Sequence, residues 1–252
     1  MPDIVLITLI GTLAGVLGTG LGGLTTVLIG NPENKTLSFL LAFAGGIMLS
    51  VVFIDLLPEA IEYGGMITPF IGLIMGITLL IMLDLYLPHS HFSHLTNGEC
   101  STKQSRYIRT SMLIGFGIAM HNLPEGLAIG AGYIASDKLG LGLAIVIGLH
   151  NIPEGMAMAA PMKCGLVNSW RIIFWTGMAG LPMGIGAFIG AQIGLVSPTF
   201  LAVALGFAAG AMLYIVFDEL LPDSQEMAVG HSSTFGAVVG AVFGMILIML
   251  LH

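Results

Sequence analysis

The sequence predicts an all-α integral membrane protein of eight transmembrane helices, and three observations carry that prediction. Of 252 residues, 56% are hydrophobic and 8% charged, with a mean hydropathy of +0.99, too apolar for a soluble chain. Apolar runs near the roughly 20 residues needed to cross hydrocarbon recur eight times. The 36 glycines would weaken soluble helices but suit a membrane bundle, where small residues let backbones approach. Gly11 and Gly15, Gly18 and Gly22, Gly72 and Gly76, and Gly186 and Gly190 are spaced for such contacts.

The first span, 4–29, follows Met1-Pro2-Asp3, which lacks the basic start of a cleavable signal. It stops at the NPEN turn beginning at Asn31. The second, 37–60, ends before Gly64-Gly65, and the third, 66–87, before the polar stretch 88–106. The fourth and fifth, 107–133 and 139–160, are divided by Ser136-Asp137, and 162–169 separates the fifth from the sixth, 171–194. Ser197-Pro198 and the stretch 222–233 bound the seventh, 199–221, and the eighth fills 232–251. No connection is long enough for a second domain, so 1–252 reads as one transmembrane unit.

Charge sets the expected orientation. Lys35, Lys103, Arg106, Arg109, Lys163 and Arg171 flank the loops after spans 1, 3 and 5, and only Lys138 lies on the other side. The positive-inside rule then puts those loops in the cytoplasm and both termini outside, in a cell (inner) membrane. With no basic patch and a net charge of −7, no nucleic-acid partner is expected. Cys100 and Cys164 show no CxxC or Cys/His spacing and read as free thiols.

Residues 43–62, FAGGIMLSVVFIDLLPEAIE, match 207–226, FAAGAMLYIVFDELLPDSQE, at an offset of 164, with Phe, Met, Leu, Val, Phe, Leu-Leu-Pro and the last Glu in register. Spans 2 and 7 cross in opposite directions, so an inverted repeat is expected: spans 1–3 related to spans 6–8, in a 3+2+3 order. The central spans carry a second duplication, HNLPEG at 121–126 and HNIPEG at 150–155.

An ionisable side chain at the bilayer centre costs at least ~2.5 kcal/mol, so His121, Glu125, His150 and Glu154 need a reason to be there. His and Glu at i and i+4 project from one helix face, and two antiparallel copies offer four ligands to a cation. Imidazole with carboxylate suits Zn²⁺ and its first-row neighbours, whereas Mg²⁺ and Ca²⁺ take oxygen shells. A buried His–Glu pair that only locks helices is the structural alternative. Pro124 and Pro153 release the carbonyls of Met120 and Leu149, and Gly126 and Gly155 relieve crowding where the helices meet. Asn122 and Asn151 either reach a second ion or cap released carbonyls.

Further polar residues suggest a path. Asp55 and Glu59 late in span 2, and Asp218 and Glu219 late in span 7, would line opposite entrances, against an interfacial reading. Met48 and Met212 are matched by the repeat and could soften a pathway. His89, His91 and His94 stand in the loop after span 3 as weak metal binders or a plain solvated segment.

The paired hexapeptides, the eight spans with both termini outside and the LLPEA ending of span 2 together resemble the ZIP family (Zrt- and Irt-like metal transporters), most of all its prokaryotic GufA and ZupT-like branch. The resemblance covers essentially the whole chain. It implies uptake of divalent metal toward the cytoplasm, with Zn²⁺, Fe²⁺, Mn²⁺, Co²⁺ or Cd²⁺ as transported substrate, no cofactor, and a homodimer. His121, Glu125, His150 and Glu154 would form a first site, and Asn122 and Asn151 a second bridged by the two Glu. Many relatives complete that second site with a Glu before a Pro on span 6, where this chain has Leu181 before Pro182. One ion or two therefore stays open. No Walker A motif is present, so ATP does not drive the process. A membrane-embedded metallohydrolase, which wants three ligands and an open position, or a metal exporter are the rival readings; the chain contains no HExxH.

Overall fold

The computed structural model describes residues 3–30, 32–86, 104–228 and 230–251. They form eight long helices with no strand among the described residues. These are α1 (Ile4–Ile29), α2 (Asn34–Gly64), α3 (Thr68–Tyr86), α4 (Gln104–Ala135), α5 (Asp137–Cys164), α6 (Ser169–Gly194), α7 (Pro198–Met227) and α8 (Ser232–Leu251). Seven are long and apolar enough to cross a bilayer. The shortest of the eight, α3, has 19 residues, about 28 Å at 1.5 Å per residue, close to the hydrocarbon thickness. The chain is a multi-pass membrane protein.

Sequence breaks become helix caps. Asp3 Oδ1 accepts from the amides of Val5 (3.0 Å) and Leu6 (3.2 Å) to start α1, Ser136 Oγ accepts from Leu139 N (3.1 Å) to start α5, and Asn168 Oδ1 accepts from Trp170 N (3.0 Å) to start α6. Prolines reshape the interiors. Pro58 and Pro222 have no N–H to donate, and the turn before each opens into a wider π-helical one over Val51–Leu56 and Val216–Leu220. Pro182 breaks α6 into Ser169–Ala179 and Pro182–Gly194 through a turn at Gly180-Leu181.

Polarity is inverted relative to a soluble protein. Leu6, Leu9, Leu13, Leu17 and Leu21 form an exposed stripe on α1, while His121, Asn122, Glu125, His150, Asn151 and Glu154 are buried. An apolar exterior of that extent requires lipid around it.

The helices sort into two groups: α1, α4, α5 and α6 pack together, as do α2, α3, α7 and α8, and the groups meet where α4 touches α7 and α5 touches α2. Glycines set the spacing. A Cβ at Gly72 or Gly76 of α3 would strike the carbonyl oxygen of Val203 or Phe207 on α7, and one at Gly236 or Gly240 of α8 that of Phe39 or Phe43 on α2. Ser50 Oγ donates to Ala241 O at 2.8 Å, adding a polar tie between α2 and α8. Lys163 Nζ at the end of α5 donates to Thr26 O (2.8 Å) and Val27 O (3.2 Å) at the end of α1. Cys164, read from the sequence as a free thiol, is disulfide-bonded; Cys100 lies outside the described residues.

Candidate metal centre

The two hexapeptides lie near the middle of α4 and α5, and glycine brings these helices against their neighbours. A Cβ on Gly126 would overlap the carbonyl of Met183 on α6, and one on Gly155 that of Thr19 on α1. Both motif helices are thereby pinned at the residue after the motif Glu. Both run helical through Pro124 and Pro153.

Between them, donor atoms of Glu125, His150 and Glu154 all lie within 4.8 Å of one another, and all three residues are buried. His150 Nε2 and Glu125 Oε1 are 3.0 Å apart. Glu125 Oε2 and both carboxylate oxygens of Glu154 have no hydrogen-bond partner among the described residues. Leaving such acceptors unpaired in a dry interior is costly. An imidazole and two carboxylates with open oxygens is a donor set suited to a first-row divalent ion.

The fourth expected ligand is turned elsewhere. His121 Nε2 lies 2.9 Å from Glu219 Oε1 of α7, against which α4 packs. Spacing along one helix reports which side chains share a face, and that face of α4 looks toward two neighbours.

Asn122 is fully engaged. Its Nδ2 donates to Ile118 O (2.9 Å) and to Ala179 O (3.2 Å), and its Oδ1 accepts from Asn151 Nδ2 at 3.0 Å. Ala179 O is the last carbonyl before the break in α6, where Met183 N turns instead to Gly180 O. Asn122 thus caps a broken helix on another span, not the Met120 carbonyl that the sequence suggested; nothing local to α4 announces an acceptor 57 residues away. Asn151 Oδ1 remains open.

Leu181, at the break, is 40% exposed and does not enter the buried cluster. Asp55, Met48 and Met212 are buried, and Glu59, Asp218 and Glu219 are intermediate. Of these, Glu219 reaches the hexapeptides. Asp55 and the Asp218–Glu219 pair sit in the π-helical turns, whose widening redirects side chains. His89, His91 and His94 lie outside the described residues.

Comparison with known proteins fits this geometry. The family model described as ZIP zinc transporter matches residues 4–106 and 88–252, together the whole chain from residue 4. The chain belongs to the ZIP family. Its relatives include the proteins named zinc transporter ZupT of Salmonella heidelberg (34% identical over 251 residues) and of Escherichia fergusonii (34% over 250), each match covering 97% of both chains. ZupT of Salmonella newport is similar to the same degree. Within this ZIP protein, the motif helices that carried the resemblance are the ones that build the buried cluster.

Proposed function

We propose that this ZIP protein carries Zn²⁺, and also Fe²⁺, Mn²⁺, Co²⁺ or Cd²⁺, toward the cytoplasm through a midplane site on α4 and α5, using Glu125, His150 and Glu154 with His121 joining as the ion arrives. It is a divalent metal transporter, and the ion is its substrate rather than a cofactor. The observation that carries this reading is the buried mid-helix trio in which Glu125 Oε2 and both Glu154 oxygens lack a partner among the described residues, in a chain of this family. Three donors also match a hydrolytic zinc; the relatives are named transporters, which favours passage.

The 3+2+3 inverted repeat is supported by close contacts that recur at the sequence offset of 164. Gly72 on Val203 corresponds to Gly236 on Phe39, Gly76 on Phe207 to Gly240 on Phe43, and Gly210 on Leu73 to Gly46 on Ala237. Gly155 on Thr19 and Gly126 on Met183 obey the same relation through the paired motifs. Such halves hold cargo where they meet.

In the proposed topology the chain is one transmembrane domain of an inner membrane, with both termini outside, assembled as a homodimer. Glu59, Asp55, Met48, Met212, Asp218 and Glu219 would line the route, with Asn151 the remaining candidate for a second ion. The bond of Lys163 to the end of α1, and Ser38 Oγ within 3.0 Å of Ser232 Oγ, agree with those helix ends sharing one side.

Radioactive zinc flux into proteoliposomes tests the proposal. His121→Ala and Glu125→Ala should each abolish uptake in protein that still inserts, and undiminished flux in both refutes the site. Zinc bound but never moved across sealed vesicles would support the hydrolase instead.

A further inference from the structure

A cavity of about 620 Å³ lies outside the metal centre, between the first half of α4, the end of α5 and the start of α6. That is within the roughly 300–1,000 Å³ range of small-ligand sites. Its walls are apolar. Met158 and Met162 of α5 form the inner side, and Met112 and Phe116 of α4 with Trp175 of α6 stand at the opening, 67%, 48% and 52% exposed. Ser111 contributes a hydroxyl already donated to Tyr107 O at 2.8 Å. Arg171, one turn before Trp175, is exposed and makes no hydrogen bond or ion pair with the described residues.

A metal cargo is the wrong occupant. Among the described residues no carboxylate lines the cavity, and a guanidinium at its edge repels a divalent cation. A water-borne partner is also unsuited, because the opening is formed by side chains of membrane-spanning helices and therefore faces hydrocarbon. What remains is a molecule with an apolar tail and an anionic head. Flexible Met side chains shape themselves to a chain-like ligand, Trp sits at the level of headgroups, and Arg extends its charge toward the interface. Basic residues at pockets between membrane helices select anionic lipids.

We propose that this cavity is a binding site for an anionic phospholipid, with an acyl chain lying between Met112, Phe116, Met158 and Met162 and the phosphate held by Arg171. The site adjoins the metal centre. Ala179 lines the cavity and its carbonyl accepts the hydrogen bond of Asn122, while Met158 lies one turn beyond Glu154. A lipid seated there would brace the break in α6 that Asn122 caps.

Native mass spectrometry on the full chain, released from micelles doped with equal phosphatidylglycerol and phosphatidylcholine, tests this. The wild type should retain one phosphatidylglycerol per chain with about fivefold preference, the contribution of one Arg to anionic-lipid attraction. Arg171→Gln should equalise the two lipids. Met112→Trp, which narrows the opening, should lower retention of both, with an unchanged size-exclusion profile showing that each variant is folded. Equal retention of both lipids by the wild type, or a preference that survives Arg171→Gln, overturns the proposal. So does displacement by glycerol phosphate lacking acyl chains, which would mark a site for free phosphate. A Met112→Trp variant with altered oligomeric state and unaltered lipid retention would assign the surface to a second copy of the chain and overturn it as well.

Discussion

Glu125 and Glu154 occupy equivalent positions in the two hexapeptides and both are buried, yet truncating them should have opposite consequences for the metal-free protein. Glu125→Ala removes one partner of the buried His150–Glu125 pair, whose atoms are 3.0 Å apart. Breaking such a pair costs about 3–5 kcal/mol, because the imidazole loses its bonded partner in a dry interior. Glu154→Ala removes a buried carboxyl group neither of whose oxygens has a partner among the described residues. The same atoms leave in both cases, so transfer and cavity costs largely cancel in the comparison. The difference of about 3–5 kcal/mol corresponds to a Tm gap of about 6–20 °C at the ~2–4 °C per kcal/mol of chains this size, Glu125→Ala being the lower. Zinc changes the picture. At a hundredfold excess over Kd, a bound ion stabilises the wild type by ~2.7 kcal/mol, and both variants should lose that increment. Melting curves in detergent with and without zinc measure both quantities. Equal destabilisation of the two metal-free variants, or a lower Tm for Glu154→Ala, would refute the reasoning.

Three further outcomes are expected. Gly155→Ala places a Cβ 2.8 Å from the Cα and carbonyl carbon of Thr19, so α5 must move off α1 at an overpacking cost of ~1–3 kcal/mol, and zinc uptake should fall with the displaced Glu154. Gly117→Ala, with nothing within 4 Å, should leave melting and flux unchanged. Lys163→Met gives up two hydrogen bonds to the end of α1 and should lower stability by ~1–3 kcal/mol while zinc binding persists, as melting and equilibrium dialysis would show.

The helical membrane class was legible because composition and apolar length are sums over many residues, insensitive to local detail. The close-packed glycines were legible as well: Gly72, Gly76, Gly186 and Gly190 were singled out by spacing, and each lies against a neighbouring backbone. Clustering of Glu125, His150 and Glu154 followed from the i, i+4 rule applied to adjacent helices. What the spacing could not reveal was lateral. Asn122 bonding Ala179, and His121 bonding Glu219, depend on which helix borders which, and each contact spans dozens of residues of chain. The π-helical turns were equally hidden, since Pro58 and Pro222 predict a disturbance without saying how the backbone absorbs it.

The two histidines are bonded differently. Counting back 164 residues from Glu219 arrives at Asp55, so the duplicated segment carries a carboxyl at each matched position, one a methylene shorter than the other. The longer chain reaches across from α7 and takes His121 at 2.9 Å. On the other side His150 is bonded by Glu125 from the neighbouring motif instead. Here one imidazole faces inward to the carboxylate cluster, and the other is tethered to the second helical group. At the proposed site, an arriving cation would either accept three protein donors or outcompete Glu219 for the fourth. That competition links occupancy of the site to the contact between α4 and α7, where the two groups of helices meet.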